Sequence, residues 1–113
     1  MSDEDKKNDS PTEKAKKLRF ALSLARKAGA AICGTSLTCE AIRAAKVKLV
    51  VISKKASENS TKRVYDCAKY YKTKTCEIDF DTVELGSSVG KASLACIGIT
   101  DENLAILVEK NIY

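Results

Sequence analysis

The apolar positions change period along the chain, and each change marks an element. Ala15, Leu18, Leu22, Ala25 and Ala28 recur at steps of three and four, which predicts an amphipathic helix over 13–29. Thr12 is its expected cap, and Gly29 its stop. Lys16, Lys17, Arg26 and Lys27 form its charged face. Residues 30–33 read as a short strand that Gly34 breaks. Thr35 or Ser36 then caps a second helix to about Lys46, with Leu37, Ala41, Ile42 and Ala45 turned inward. The run Leu49, Val50, Val51, Ile52 has no alternation, as expected of a central strand buried on both faces.

Ser57 to Ser60 open a third helix over 58–72, with Val64, Cys67, Ala68 and Tyr71 inside. Residues 75–79 alternate and predict a strand near a sheet edge. A short helix over 82–90 ends at Gly90, and residues 94–99 form another buried strand. Asp101 caps a last helix over 102–111, with Leu104, Leu107 and Val108 inside. This order predicts an α/β fold: a three-layer α-β-α sandwich around a mixed sheet of about four strands, helices on both faces. Residues 1–12 are polar, acidic and expected to be disordered; 13–113 form one domain.

Charge adds a functional direction. Residues 1–13 carry −3, residues 14–74 carry +13 and residues 75–113 carry −5, within a net +5. A field of that size on part of one domain suits phosphate backbones. The five cysteines are odd in number, form no CxxC and have no His beside them, so they read as small buried hydrophobes with free thiols. No apolar run is long enough to span a bilayer and no signal peptide is visible, which places the chain in the cytoplasm with no membrane partner.

Three loops are candidate sites. Gly34-Thr35-Ser36 is a glycine turn feeding a helix N-terminus, whose free N–H groups suit phosphate, although simple hydroxyl capping explains it equally. Ser53-Lys54-Lys55 ends the buried strand, where α/β folds often bind ligands; read alone, it is also an ordinary solvated loop. Lys46 and Lys48 flank the strand's other end and are not expected to join that site. Gly90-Lys91-Ala92-Ser93 is a small loop before the last strand. Its GxxxGK has the wrong spacing for a phosphate-cradling nucleotide loop. Asp79, Asp81 and Glu84 read as a solvated acidic turn, and no catalytic constellation or cofactor motif occurs, so a non-enzymatic protein with no cofactor is expected.

Three segments, AGAAICGTSLTCEAIRAAKVKLVVIS (28–53), SENSTKRV (57–64) and ELGSSVGKASLACIGITD (84–101), resemble the ribosomal protein "L seven Ae / L thirty e" family of kink-turn binders, over roughly 14–111. The resemblance implies the same sandwich and a cytoplasmic, monomeric partner of structured RNA, ribosomal RNA or another kink-turn-containing RNA. It implies that the glycine-started helix enters the RNA groove through Gly34, Thr35, Ser36, Leu37 and Glu40, while Lys91, Ala92 and Ser93 cover an extruded nucleotide. Arg26, Lys27, Lys54 and Lys55 complete the expected basic face. The family's strong binders carry G-T-N-E-x-x-K, whereas here Ser36, Leu37 and Glu40 replace Asn, Glu and Lys. Those replacements remove base readers and put a negative charge where the family neutralises phosphate. The alternative is a protein-interaction domain on the same fold, favoured if the bases scatter and an apolar patch around Leu37 takes the site.

Overall fold

A computed structural model describes residues 11–112, and side chains from 13. Of the segment 1–12 expected to be disordered, residues 1–10 lie outside the described residues, whereas Pro11 and Thr12 are helical. The elements run α1 (Pro11–Lys27), β1 (Ala31–Cys33), α2 (Thr35–Arg43), β2 (Leu49–Ser53), α3 (Glu58–Tyr70), β3 (Thr75–Ile78), α4 (Thr82–Ser87), β4 (Cys96–Ile99) and α5 (Glu102–Lys110). The sheet is mixed, in the order β1-β4-β2-β3. β4 pairs antiparallel with both β1 and β2, and β2 pairs parallel with β3.

The unbroken apolar run of β2 serves both faces. Leu49 and Val51 join Ile97 and Ile99 beneath α1, α4 and α5, packed on Leu18, Leu22, Leu85 and Val108. Val50 and Ile52 join Cys96 beneath α2 and α3, packed on Ile42, Val64 and Ala68. Two cores on opposite faces of one sheet make the α-β-α sandwich. The two edges are β1 and β3, and β3 is the strand whose alternation put it near an edge.

The caps explain most helix starts. The Ser57 hydroxyl accepts from the Ser60 N–H, and the Asp101 carboxylate from the Leu104 N–H at 3.0 Å. Asp81 and Glu84 form a reciprocal capping box on α4. Three boundaries differ from the pattern. α1 opens at Pro11 rather than after Thr12, consistent with the preference of proline for a first turn. α2 is capped by Gly34 and not by Thr35 or Ser36, which lie inside the helix. It ends at Arg43 because Ala45 turns to φ 60, which also leaves Ala45 exposed; Lys72, at φ 57, closes α3 early in the same way.

Besides Ala45, three residues expected inside are outside. Ala28 lies beyond the end of α1 and is exposed. Leu37 is 57% exposed and Tyr71, at the α3 cap, 43%. Leu37 lies in the first turn of α2 along the open edge of β1, and Tyr71 lies just past the last residue of α3.

Candidate nucleic-acid interface

β1 and β2 run the same way, and β4 opposes both. The end of β1, the start of β4 and the end of β2 therefore meet at one end of the sheet. The Gly34 N–H donates to the Cys96 carbonyl at 3.2 Å, the Ser53 N–H to Ala95 at 2.9 Å, and the Lys54 N–H to Ile78 at 3.1 Å. This brings the Gly34 turn and the Lys54-Lys55 loop to the same end, two strand spacings, or about 10 Å, apart.

Gly34 sits at φ 98, ψ 159, a conformation that side chains rarely adopt. Its carbonyl already accepts from the Thr38 N–H at 3.0 Å, while no side chain caps the first turn. The helix thus presents uncapped N–H groups and its positive dipole end. Ser36 and Leu37 lie exposed on this turn, Glu40 is exposed one turn further on, and Thr35 is half-buried.

Ser53 secures the second loop from below. Fully buried, its hydroxyl donates to the Phe80 carbonyl at 2.7 Å and accepts from the Lys55 N–H at 3.1 Å. Lys54 and Lys55 are left exposed.

The third loop is shaped by a close approach. A Cβ on Gly86 would lie 2.7 Å from the Ser93 Cα and 2.8 Å from its N, so only glycine lets the Ala92-Ser93 backbone cross α4 there. The Lys91 N–H donates to the Gly86 carbonyl and Leu94 to Thr82. Lys91, Ala92 and Ser93 are all exposed. The Arg26 guanidinium donates to the Val89 carbonyl, which ties this loop to α1. Arg26 thus positions the loop as well as adding charge. Lys27, the last residue of α1, is exposed and lines neither of the grooves described next.

A groove of about 680 Å³ runs along the open edge of β1. Its floor is Ala31, Ile32 and Cys33; α2 walls one side with Leu37, Glu40, Ala41 and Ala44, and Arg26, Lys91 and Leu94 wall the other. Lys46 closes it. The groove therefore unites four predicted residues, Arg26, Leu37, Glu40 and Lys91, with Lys46, which reaches it from the turn after α2 and shares no groove with Lys54.

Lys54 lines a second groove, of about 820 Å³, at the start of α1. Lys14, Lys16 and Arg19 face Glu77, Asp79 and Glu84 across it, and Arg19 approaches Glu84 at 3.8 Å.

The buried thiols offer no reactive centre. All five cysteines are free. Burial, reinforced by Cys67, raises the Cys39 thiol, burial raises Cys96, and burial with Glu109 pushes Cys76 up to about 11. Among the described residues no group of His, Cys, Asp and Glu could hold a metal ion, and no helix is long and apolar enough to cross a membrane.

Residues 16–108 match the model of the ribosomal protein L7Ae/L30e/S12e/Gadd45 family. The chain belongs to this family. Its relatives include a protein named RNA-binding protein YlxQ from Bacillus subtilis (strain 168), 36% identical over 84 residues, which are 74% of this chain and 83% of that protein. A protein of the same name from Enterococcus faecium is 36% identical over 98 residues, 87% of this chain and 90% of the relative. The L7Ae/L30e fold itself is matched by a solved structure of a protein with unknown function from Bacillus halodurans C. That structure has a TM-score of 0.79 at 24% identity, covering 85% of this chain and 96% of that one.

Proposed function

We propose that the chain is a cytoplasmic, monomeric and non-catalytic module that binds structured RNA of kink-turn type and works in association with the ribosome. One observation carries the reading. The Gly34 turn, the Lys54-Lys55 loop and the Lys91-Ser93 loop stand at one end of the sheet, and the first and third of them border a groove whose cations are Arg26, Lys46 and Lys91. Uncapped N–H groups and lysines suit phosphate, and the exposed Leu37 and half-buried Leu94 offer an apolar wall for an unstacked base. Family membership and the name carried by two relatives support RNA as the ligand.

Recognition here rests on shape and phosphate. Ser36 and Leu37 cannot make the bidentate base contacts of an Asn and a Glu, and Glu40 lies within the groove, opposing phosphate. A bidentate pair contributes about 1–3 kcal/mol of discrimination, so its loss removes a factor of about ten to a hundred in preference.

Titration of a kink-turn RNA and a matched straight duplex tests this. The wild type is expected to bind both with modest preference. The variant Ser36→Asn, Leu37→Glu, Glu40→Lys is expected to favour the kink-turn by at least about tenfold more. Strong discrimination by the wild type would assign the reading to other residues. No binding of either RNA by either protein would leave the Leu37 groove to a protein partner.

A further inference from the structure

Tyr70 and Tyr71 are unusual surface residues in a chain that has only four tyrosines, two phenylalanines and no tryptophan. Phe80 is buried, the Tyr65 hydroxyl is engaged by Glu77 at 2.6 Å, and Phe20 on α1 is exposed but belongs to no aromatic pair among the described residues. Tyr70 is 78% exposed, and Tyr71 meets it edge-on, with ring centroids 4.8 Å apart and planes at 74°. The contact fixes the two rings relative to each other and leaves most of Tyr70 accessible.

The pair ends α3, at the opposite end of the sheet from Gly34, because β3 begins there beside the start of β2. The length of β2 separates the two ends by about 16 Å. The sequence around the pair, Lys69-Tyr70-Tyr71-Lys72-Thr73-Lys74, holds no acid. α2 and α3 pack side by side, with the Cys67 thiol donating to the Cys39 carbonyl at 3.6 Å, so the end of α2 comes to the same place. Arg43 and Lys48 are therefore also at this end, exposed. None of Arg43, Lys48, Lys69 and Lys72 has an acidic partner among the described residues. Lys69 offsets the negative end of the α3 dipole, which leaves three cations for an incoming anion. Lys46 closes the β1-edge groove on this side, so the groove leads from the Gly34 end towards the tyrosines.

We propose that this end of the α2–α3 face is a second RNA-binding surface: bases of a single-stranded segment stack on Tyr70 and Tyr71, and Arg43, Lys48 and Lys72 hold its phosphates. An open aromatic face with cations around it is the arrangement by which proteins hold single strands without reading sequence. The surface extends the folded-RNA site and shares with it only the class of ligand. It accommodates the strand that leaves a structured element bound at Gly34.

The test uses the full chain and a fluorescein-labelled oligouridylate of about ten nucleotides. Because the chain lacks tryptophan, base stacking is also read directly as quenching of tyrosine emission. Tyr70→Ala with Tyr71→Ala is expected to weaken oligouridylate binding at least about fivefold and to abolish the quenching. Tyr70→Phe with Tyr71→Phe keeps the stacking faces and is expected to bind within about twofold of wild type. Lys91→Glu, in the β1-edge groove, is expected to impair kink-turn RNA more than oligouridylate. Equal affinity of the wild type and the alanine pair for oligouridylate, or no quenching in the wild type, overturns the proposal. If the kink-turn RNA is still bound in that case, the Gly34 end stands alone. Quenching by oligouridylate without kink-turn binding upholds the proposal and discards the Gly34 site.

Discussion

The two grooves hold similar numbers of basic side chains but differ in what faces them. Along β1, Arg26, Lys46 and Lys91 face a single acid, Glu40. At the start of α1, Lys14, Lys16, Arg19 and Lys54 face Glu77, Asp79 and Glu84. The chain concentrates +13 in residues 14–74 and −5 in residues 75–113. Folding lays the acids of 77–84 against the bases of 14–19 and neutralises part of the basic block. The positive field that survives lies on the β1 and α2–α3 sides. Charge read along the chain therefore overstates the basic face, and the pairing of segments across the sheet decides where a phosphate backbone finds it.

Gly86→Ala is the substitution expected to break this contrast most severely. The added Cβ would stand 2.7 Å from the Ser93 Cα, so the loop carrying Lys91 must move. Displacing packed backbone costs about 1–3 kcal/mol, more than the roughly 1 kcal/mol that alanine gains over glycine in a helix. Chemical denaturation should show a net loss of stability. RNA affinity should fall in parallel, because the loop walls only the β1-edge groove.

A second difference lies under the grooves, in the thiols. Cys76 is 6% exposed, and its pKa rises from 9.0 to about 11 through burial and then Glu109. The folded state holds this proton more tightly than the unfolded one. Stability is therefore unaffected below pH 9 and falls as pH rises from 9 to 11, by at most about 2–3 kcal/mol from this group. Cys39 and Cys96 shift in the same direction. Thermal melting between pH 8 and 10.5 should show the decline, and Cys76→Ala should lessen it. A pH-independent melting temperature in the wild type would contradict the assignment.

The smallest effect is expected in the neutralised groove. Arg19 approaches Glu84 at 3.8 Å with both side chains nearly half exposed, and its guanidinium lies 5.7 Å from the Phe80 ring centroid. Arg19→Ala should cost no more than about 1 kcal/mol and leave RNA affinity within about twofold. A tenfold loss of RNA binding would show that this groove contacts the ligand.

The layers were legible because the burial they need is written locally. The unbroken Leu49–Ile52 run announces a strand covered on both faces, and the alternation of 75–79 announces an edge. The caps at Ser57 and Asp101 followed from hydroxyl and carboxylate chemistry. What stayed hidden depends on contacts far apart in the chain or on single backbone angles. Nothing around Ala45 announces φ 60, so α2 looked longer than it is and Ala45 looked buried. Leu37 and Tyr71 keep the helical spacing of core residues, but Leu37 borders the open edge of β1 and Tyr71 lies beyond the end of α3. The bond from Arg26 to the Val89 carbonyl spans 63 residues, and Lys46 meets Lys91 only because β1 is an edge. The three candidate loops could be named from their glycines and lysines, but the groove that two of them border depends on strand order.

The most direct test of the account is the salt dependence of kink-turn RNA binding in paired charge reversals. Each phosphate contact contributes about 0.9 to the slope of log K against log salt. Lys46→Glu with Lys91→Glu is expected to lower that slope by about 2 and to weaken binding at least tenfold at moderate salt. Lys14→Glu with Lys16→Glu, in the neutralised groove, makes the same change in net charge and is expected to leave the slope within about 0.5. Equal slopes for the two variants, or a larger loss from Lys14 and Lys16, would contradict the claim that the β1-edge groove is where this chain meets RNA.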